Sequence, residues 1–183
     1  WNRYDGEHFG IINWAEYGVP LNYRWYENTG DKEYFNVYAS ANYELNSHLN
    51  FFAEIQYRHI DYKIEGIHDD LNDITQSHNF DFWNPKGGIF YTINENNSAY
   101  FSAAYSNREP NRDIYTDADE IQRERVTHEK LIDYELGYSF RNRKTNINAN
   151  LFYMDYKDQL VMTGEINNVG NTRSEEHTSE LQS

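Results

Sequence analysis

Residues 131–163 read LIDYELGYSF, RNRK, TNINANLFYMDYKDQLVMT, and this stretch decides the fold. Ile132, Tyr134, Leu136, Tyr138 and Phe140 alternate with Asp133, Glu135, Gly137 and Ser139, a period of two that only a strand sorts onto opposite faces. After the polar turn Arg141 to Lys144, Ile147, Ala149, Leu151 and Tyr153 repeat the apolar side and Asn146, Asn148 and Asn150 the polar one. Two arms of about ten residues have the length of a tilted membrane-crossing strand.

Working outward, the same alternation recurs. Phe35, Val37, Ala39, Ala41, Tyr43 and Leu45 share one face of a first strand, and the turn Asn46-Ser47-His48 leads to Leu49, Phe51, Ala53, Ile55 and Tyr57 on a second. Phe82 to Ile93 forms a third, where Pro85 and Gly87-Gly88 predict a bulge because proline forfeits a ladder hydrogen bond. Past the short turn Asn94 to Asn97, Ala99, Phe101, Ala103 and Tyr105 mark a fourth strand. Residues 66–77 and 108–130 read as long polar connections, and residues 1–30 as a long irregular loop with a strand portion near Phe9 to Ala15. Short turns and long loops alternate, which predicts an all-β, antiparallel up-and-down transmembrane barrel present as an open partial sheet of about six strands.

Composition agrees with that class. Hydrophobic residues make up only 38% of the 183, yet there are 17 Tyr, so apolar surface is concentrated in side chains with a polar tip, suited to a membrane boundary. Mean hydropathy is -0.96 and no apolar run reaches the length of a spanning helix, a test that barrel strands escape. A net charge of -14 argues against nucleic acid as a partner, since phosphate contacts need clustered Lys and Arg. Zero Cys excludes disulfides, thiolate catalysis and Cys-based zinc sites. The chain opens on Trp1 without a leader, which reads as a cut end. Residues 173–183, RSEEHTSELQS, resemble translated sequencing adapter; setting them aside removes Arg173, Glu175, Glu176 and Glu180 and leaves 15 basic and 27 acidic residues.

A soluble sheet also hides one face of each strand, and two details separate the alternatives. Glu44, Glu54, Arg58, Asp133 and Glu135 fall on the polar side, expected to face a wet lumen, and the other side holds no charge across the middle of any strand. Aromatics gather toward strand ends as two lipid-facing girdles, with Tyr43, Phe51, Tyr91, Phe101 and Phe140 toward the short turns and Tyr57, Trp83, Tyr105, Tyr134 and Tyr153 toward the long loops.

Residues 133–170 (DYELGYSF, LFYMDYKDQLVMTGEINNVG) resemble the barrel of TonB-dependent outer-membrane receptors of Bacteroidetes type. DGEHFG at Asp5 to Gly10 with NWA at Asn13 to Ala15, QYRHIDYKIEG at Gln56 to Gly66 with FWNPKGG at Phe82 to Gly88, and SNREPNRDIYTDA at Ser106 to Ala118 agree in the same order. The resemblance implies residues 1–172 as part of a large barrel with a plugged lumen, in the outer membrane of a Gram-negative bacterium. Its plug domain, the segment that meets the TonB complex and the last strands would lie outside this chain. Implied partners are outer-membrane lipid, the plug, TonB and a scarce nutrient, chiefly a ferric siderophore, with cobalamin, haem or glycan as alternatives. A non-transporting surface barrel or a soluble β-rich binding module is the reading from another class.

No nucleophile elbow, phosphate loop or dinucleotide motif occurs, so neither an enzyme nor a cofactor is expected. In the second long connection Arg108, Glu109, Arg112 and Tyr115 are the candidates for contact with an anionic ligand, against the plainer reading of a solvated loop with local ion pairs. Asp117, Asp119 and Glu120 have spacing able to gather oxygens around calcium but no glycine-turn framework. His68, Asp69 and Asp70 are adjacent and lack the i, i+4 geometry that fixes metal ligands.

Overall fold

The computed structural model describes residues 1–116, 126–162, 166–169 and 172–182. Among them a single antiparallel sheet runs in sequence order through β1 (Asn2–Ile12), β2 (Tyr23–Asn46), β3 (Leu49–Gly66), β4 (Gln76–Asn94), β5 (Asn97–Arg108), β6 (Glu129–Arg141), β7 (Asn146–Lys157) and β10 (Thr172–Gln182). A short helix α1 (Arg112–Thr116) sits between β5 and β6, and β8 (Gln159–Met162) pairs with β9 (Ile166–Val169) as a separate ribbon. The expected strands are all present, within a sheet of eight. Residues 1–30 are an irregular loop only over 13–22: the strand portion expected near Phe9 to Ala15 is the end of β1, which begins at Asn2 and pairs with residues 23–34 of β2 from Asn2↔Tyr34 to Ile12↔Tyr23. Glycines and aromatics obscured the alternation there, and the partner strand supplies the order.

Three short turns close the hairpins β2–β3, β4–β5 and β6–β7, and each opens on an asparagine. The Asn46 carboxamide oxygen accepts from the backbone N–H of His48 (2.9 Å) and Leu49 (3.0 Å). Asn94 accepts from Asn96 N–H at 3.0 Å, and Asn142 from Lys144 and Thr145 N–H, both at 2.8 Å. Asparagine mimics a backbone turn in this way, so the three tips are fixed by chemistry local to them.

Pro85 does not make a bulge. The ladder between β3 and β4 passes through Ile55↔Pro85 without a shift, whereas the ladder between β4 and β5 begins only at Lys86↔Ala104. Beyond it the Asn84 side chain takes over, accepting the Asn107 N–H at 2.9 Å. The missing donor thus ends one ladder, and a carboxamide continues the attachment. Gly88 has a packing reason: a Cβ there would lie 2.5 Å from the Phe52 ring across the strand pair.

β2 has 24 residues, about 80 Å at the usual rise per residue, against a bilayer hydrocarbon core of about 30 Å. The sheet uses this excess by exchanging the polarity of its faces part-way up. Next to the short turns, one face carries Tyr43↔Phe51, Ala41↔Ala53, Ala39↔Ile55, Val37↔Tyr57 and then Tyr57↔Trp83. The next same-face rows are Phe35↔His59, Glu33↔Asp61, His59↔Asp81 and Asp61↔Asn79. On the opposite face the order reverses: Ser40↔Glu54 and Glu54↔Lys86 give way to Tyr34↔Ile60, Lys32↔Tyr62 and Ile60↔Phe80. The β3–β4 ladder runs through the exchange without a shift, so the exchange is written in residue choice alone.

The apolar band on the first face is uncovered. Val37 is 50% exposed, Ile55 43%, Trp83 56% and Leu136 48%. The buried core lies elsewhere, on the reversed face beyond the band: Ile60, Ile64 and Ile74 are fully buried, joined by Tyr62, Phe82 and Tyr115, with Tyr34, Phe80 and Val126 packed around them.

Candidate functional site

Residues 109–116 of the connection after β5 do not form a stretch that stands out in solvent. They turn back over the β2–β4 wall, and α1 inserts Tyr115, 1% exposed, into the core just described. The Tyr115 ring stacks on His78 with centroids 3.9 Å apart and lies 6.3 Å from that of Tyr62. Its backbone carbonyl accepts from Gln76 Nε2 at 3.1 Å. Burial pushes the Tyr115 phenol well above its ordinary value, and its hydroxyl has no hydrogen-bond partner among the described residues.

Beside Tyr115, Glu109 is the electrostatic anchor. Its Oε1 accepts from Lys32 Nζ on β2 at 2.9 Å and from Arg58 Nη2 on β3 at 2.5 Å. The Glu109 side chain is only 15% exposed, and those of Lys32 and Arg58 are 28% and 29% exposed. Burial pushes the carboxyl up, but the hydrogen bond from Lys32 and the charges of Lys32 and Arg58 outweigh it and hold Glu109 below the ordinary glutamate range. Lys32 also lies 5.6 Å from the Tyr62 ring centroid, a cation–π contact.

Arg112 makes the third link. Its Nη2 donates to Asn28 Oδ1, and Nη1 to the Tyr62 hydroxyl at 3.5 Å. Asn28, 2% exposed, is held by its own donation to the Ile67 carbonyl at 2.9 Å. Gly30 makes room: a Cβ at that position would meet Arg112 Nη1 at 2.6 Å.

Of the four loop residues singled out from sequence, Glu109, Arg112 and Tyr115 therefore converge on one buried docking site. Arg108 stands apart, 67% exposed and 3.6 Å from Glu129. The exposed-loop expectation is corrected for the three, because the inner face of β2–β4 is apolar at that height and draws the loop in. The partners Asn28, Gly30, Lys32, Tyr62, Gln76 and His78 escaped sequence reading. Their signal was present in HIDYKIEG, where the alternation continues past Arg58 with its phase exchanged.

The polar-side candidates share one face. Glu44 stands opposite Asn50, Glu54 opposite Ser40 and Lys86, Asp133 opposite Ala104 and Met154, and Glu135 opposite Ser102 and Phe152, with Arg58 in the same set. A chain of carboxamides crosses that face below the core. Gln56 donates to Asn36 (3.2 Å), Asn84 to Gln56 (3.0 Å) and Asn107 to Asn84 (3.1 Å). The ten aromatic candidates fall on the other face: Tyr43↔Phe51, Tyr57↔Trp83, Tyr91↔Ala99, Phe101↔Leu136, Tyr105↔Ile132, Phe140↔Ile147 and Tyr134↔Tyr153.

Asp117, Asp119 and Glu120 lie outside the described residues. Ligand atoms of His68, Asp69 and Asp70 come within 4.8 Å of one another, but the Asp70 carboxylate accepts from Asn72 N–H at 3.0 Å and Asn72 Nδ2 at 2.6 Å. Backbone and side-chain hydrogen bonds from Asn72 hold that carboxyl below its ordinary value, which is the chemistry of a turn.

The family model described as TonB dependent receptor-like, beta-barrel, matches residues 1–178. No curated protein matches the chain. The ferric yersiniabactin uptake receptor FyuA from Yersinia pestis has a similar fold, with a TM-score of 0.62 at 17% identity over 83% of this chain and 24% of that one. The FrpB iron transporter from Neisseria meningitidis gives 0.59 at 19% over 80% and 22%. The copper transporter OprC gives 0.66 at 9% over 86% and 28%. The chain thus spans about a quarter of the length of these solved transporters.

Proposed function

The chain belongs to the TonB-dependent receptor β-barrel family, outer-membrane proteins of Gram-negative bacteria that act as transporters and not as enzymes, and from that premise we propose a part in energised uptake of a ferric siderophore. The observation that carries the membrane-wall reading is the bare apolar band: Val37, Ile55, Trp83 and Leu136 lie on one face at about half exposure, while Ser40, Glu54, Lys86 and Glu135 stand on the opposite face at the same height. A bilayer is the environment that makes such a surface favourable. Tyr43, Phe51, Tyr57, Trp83, Tyr91, Phe101, Tyr105, Tyr134, Phe140 and Tyr153 then meet lipid, and Glu44, Glu54, Asp133 and Glu135 line the lumen against a plug domain.

Iron is favoured over cobalamin, haem or glycan because FyuA and FrpB carry out uptake of ferric yersiniabactin and of iron. On this reading residues 1–172 form part of the barrel, coupled to TonB through the rest of the receptor, and 173–183 are a non-native tail. That tail has no apolar alternation, although its register sets Glu175 and His177 opposite Tyr153 and Leu151.

The test is uptake of radioactive iron by a strain whose only siderophore receptor contains this chain. Accumulation that stops when the proton gradient is collapsed supports the assignment. Uptake of cobalamin or glycan in place of iron would replace the substrate, and no energised uptake of any of them would remove the transport reading.

A further inference from the structure

We infer that Lys32 and Arg58 form a binding site for a multivalent oxyanion, and that Glu109 is a resident carboxylate that occupies it while α1 is docked. The chain carries 30 acidic residues against 16 basic ones, yet Lys32 and Arg58 converge on one carboxylate. Both Lys32 and Arg58 donate to the same oxygen of Glu109. One negative charge therefore faces two positive ones. An anion with two or more charged oxygens would satisfy the pair better, since charge-assisted hydrogen bonds are the strong ones and guanidinium favours two-point contact.

Access and displaceability also have a basis in the structure. Lys32 and Arg58 keep more than a quarter of their side-chain surface exposed, so the site is open to solvent on one side. The docked loop holds the Tyr115 hydroxyl buried without a partner among the described residues, a penalty released when α1 lifts. A ligand that replaces the Glu109 carboxylate would therefore take over its two cations and free the loop at once. Carboxylate and phosphate groups share the required chemistry.

This site deepens the uptake reading and rests on it for the side from which ligand arrives, but its test is binding to the chain itself, so either can fail alone. The chain, refolded in detergent, carries a fluorophore on Asn111→Cys, unique because the sequence has no cysteine. Succinate and pyrophosphate are each expected to change the emission of the label where chloride at equal ionic strength does not, and their relative affinities separate carboxylate from phosphate preference. Glu109→Gln should tighten binding of the better anion by about tenfold, the effect of removing a competing carboxylate from its cations, and the double change Lys32→Met, Arg58→Met should abolish the response. If Glu109→Gln does not refold, Glu109→Asp, which retracts the carboxylate by one methylene, must shift affinity in the same direction. No anion response, a response that survives loss of both cations, or unchanged or weaker binding on altering Glu109 would each overturn the proposal.

Discussion

At the scale of single residues, Glu109 and Tyr115 hold the loop by different means, and their substitution should separate them. Glu109 is held below the ordinary glutamate value when docked. Its ion pairs are therefore at full strength above that ordinary value and are lost as pH falls through the lowered one. Acid titration followed by near-ultraviolet circular dichroism of the Tyr115 cluster should show loop release in that window, and Glu109→Gln should flatten the transition. Tyr115 acts through its buried ring: Tyr115→Ala is expected to weaken loop docking by about 3–5 kcal/mol, the cost of emptying a large aromatic site. Tyr115→Phe deletes only the unpartnered hydroxyl and should be neutral or slightly stabilising; protection of the loop from proteolysis measures both. Glu109, Arg112 and Tyr115 were visible in the sequence as a group, but not the direction in which they point. Their partners are 77, 84 and 51 residues away for Lys32, Asn28 and Arg58, and local spacing carries no information about such distances.

Among the elements, the strands that reach the bilayer were legible because each alternates without interruption. Their upper halves were not, because an exchange of polarity looks like the end of a strand when only one face is followed. β1 was legible only near its end, from Phe9, for a related reason: Gly6 and Gly10 break its apolar side, and its order comes from Asp5↔Asp31 through Ile12↔Tyr23. The band itself makes a sharp expectation. Ala41→Arg, mid-band on the apolar face, should destabilise membrane insertion by about 2–4 kcal/mol, whereas Asn42→Arg on the polar face should cost far less; urea titration in lipid vesicles compares them. The turns offer a second. Asn142→Ala removes the acceptor of two backbone N–H groups and should cost the β6–β7 hairpin about 1–2 kcal/mol, at the scale of lost caps and turn hydrogen bonds, read as a shift of the unfolding midpoint in the same titration.

For the whole molecule, the sheet order ends on β1 at one side and β10 at the other, with no pairing between the two. Both edges therefore present unpaired backbone groups, and one face is apolar across the band, a combination that favours association in water. The isolated chain is expected to remain monodisperse only in detergent or lipid, and analytical ultracentrifugation with and without detergent checks it. A monomer with cooperative unfolding in plain buffer would contradict the membrane wall.

The exchange of polarity along β2, β3 and β4 also stacks two environments along one wall. Beyond the band, Ile60, Ile64 and Phe82 lie buried in one cluster with Tyr115 of α1, and the row of carboxamides from Asn36 to Asn107 crosses the same face beneath them. Lifting α1 would bare a greasy shelf beside Lys32 and Arg58, where water would gather at the two cations and shun the aliphatic side chains next to them.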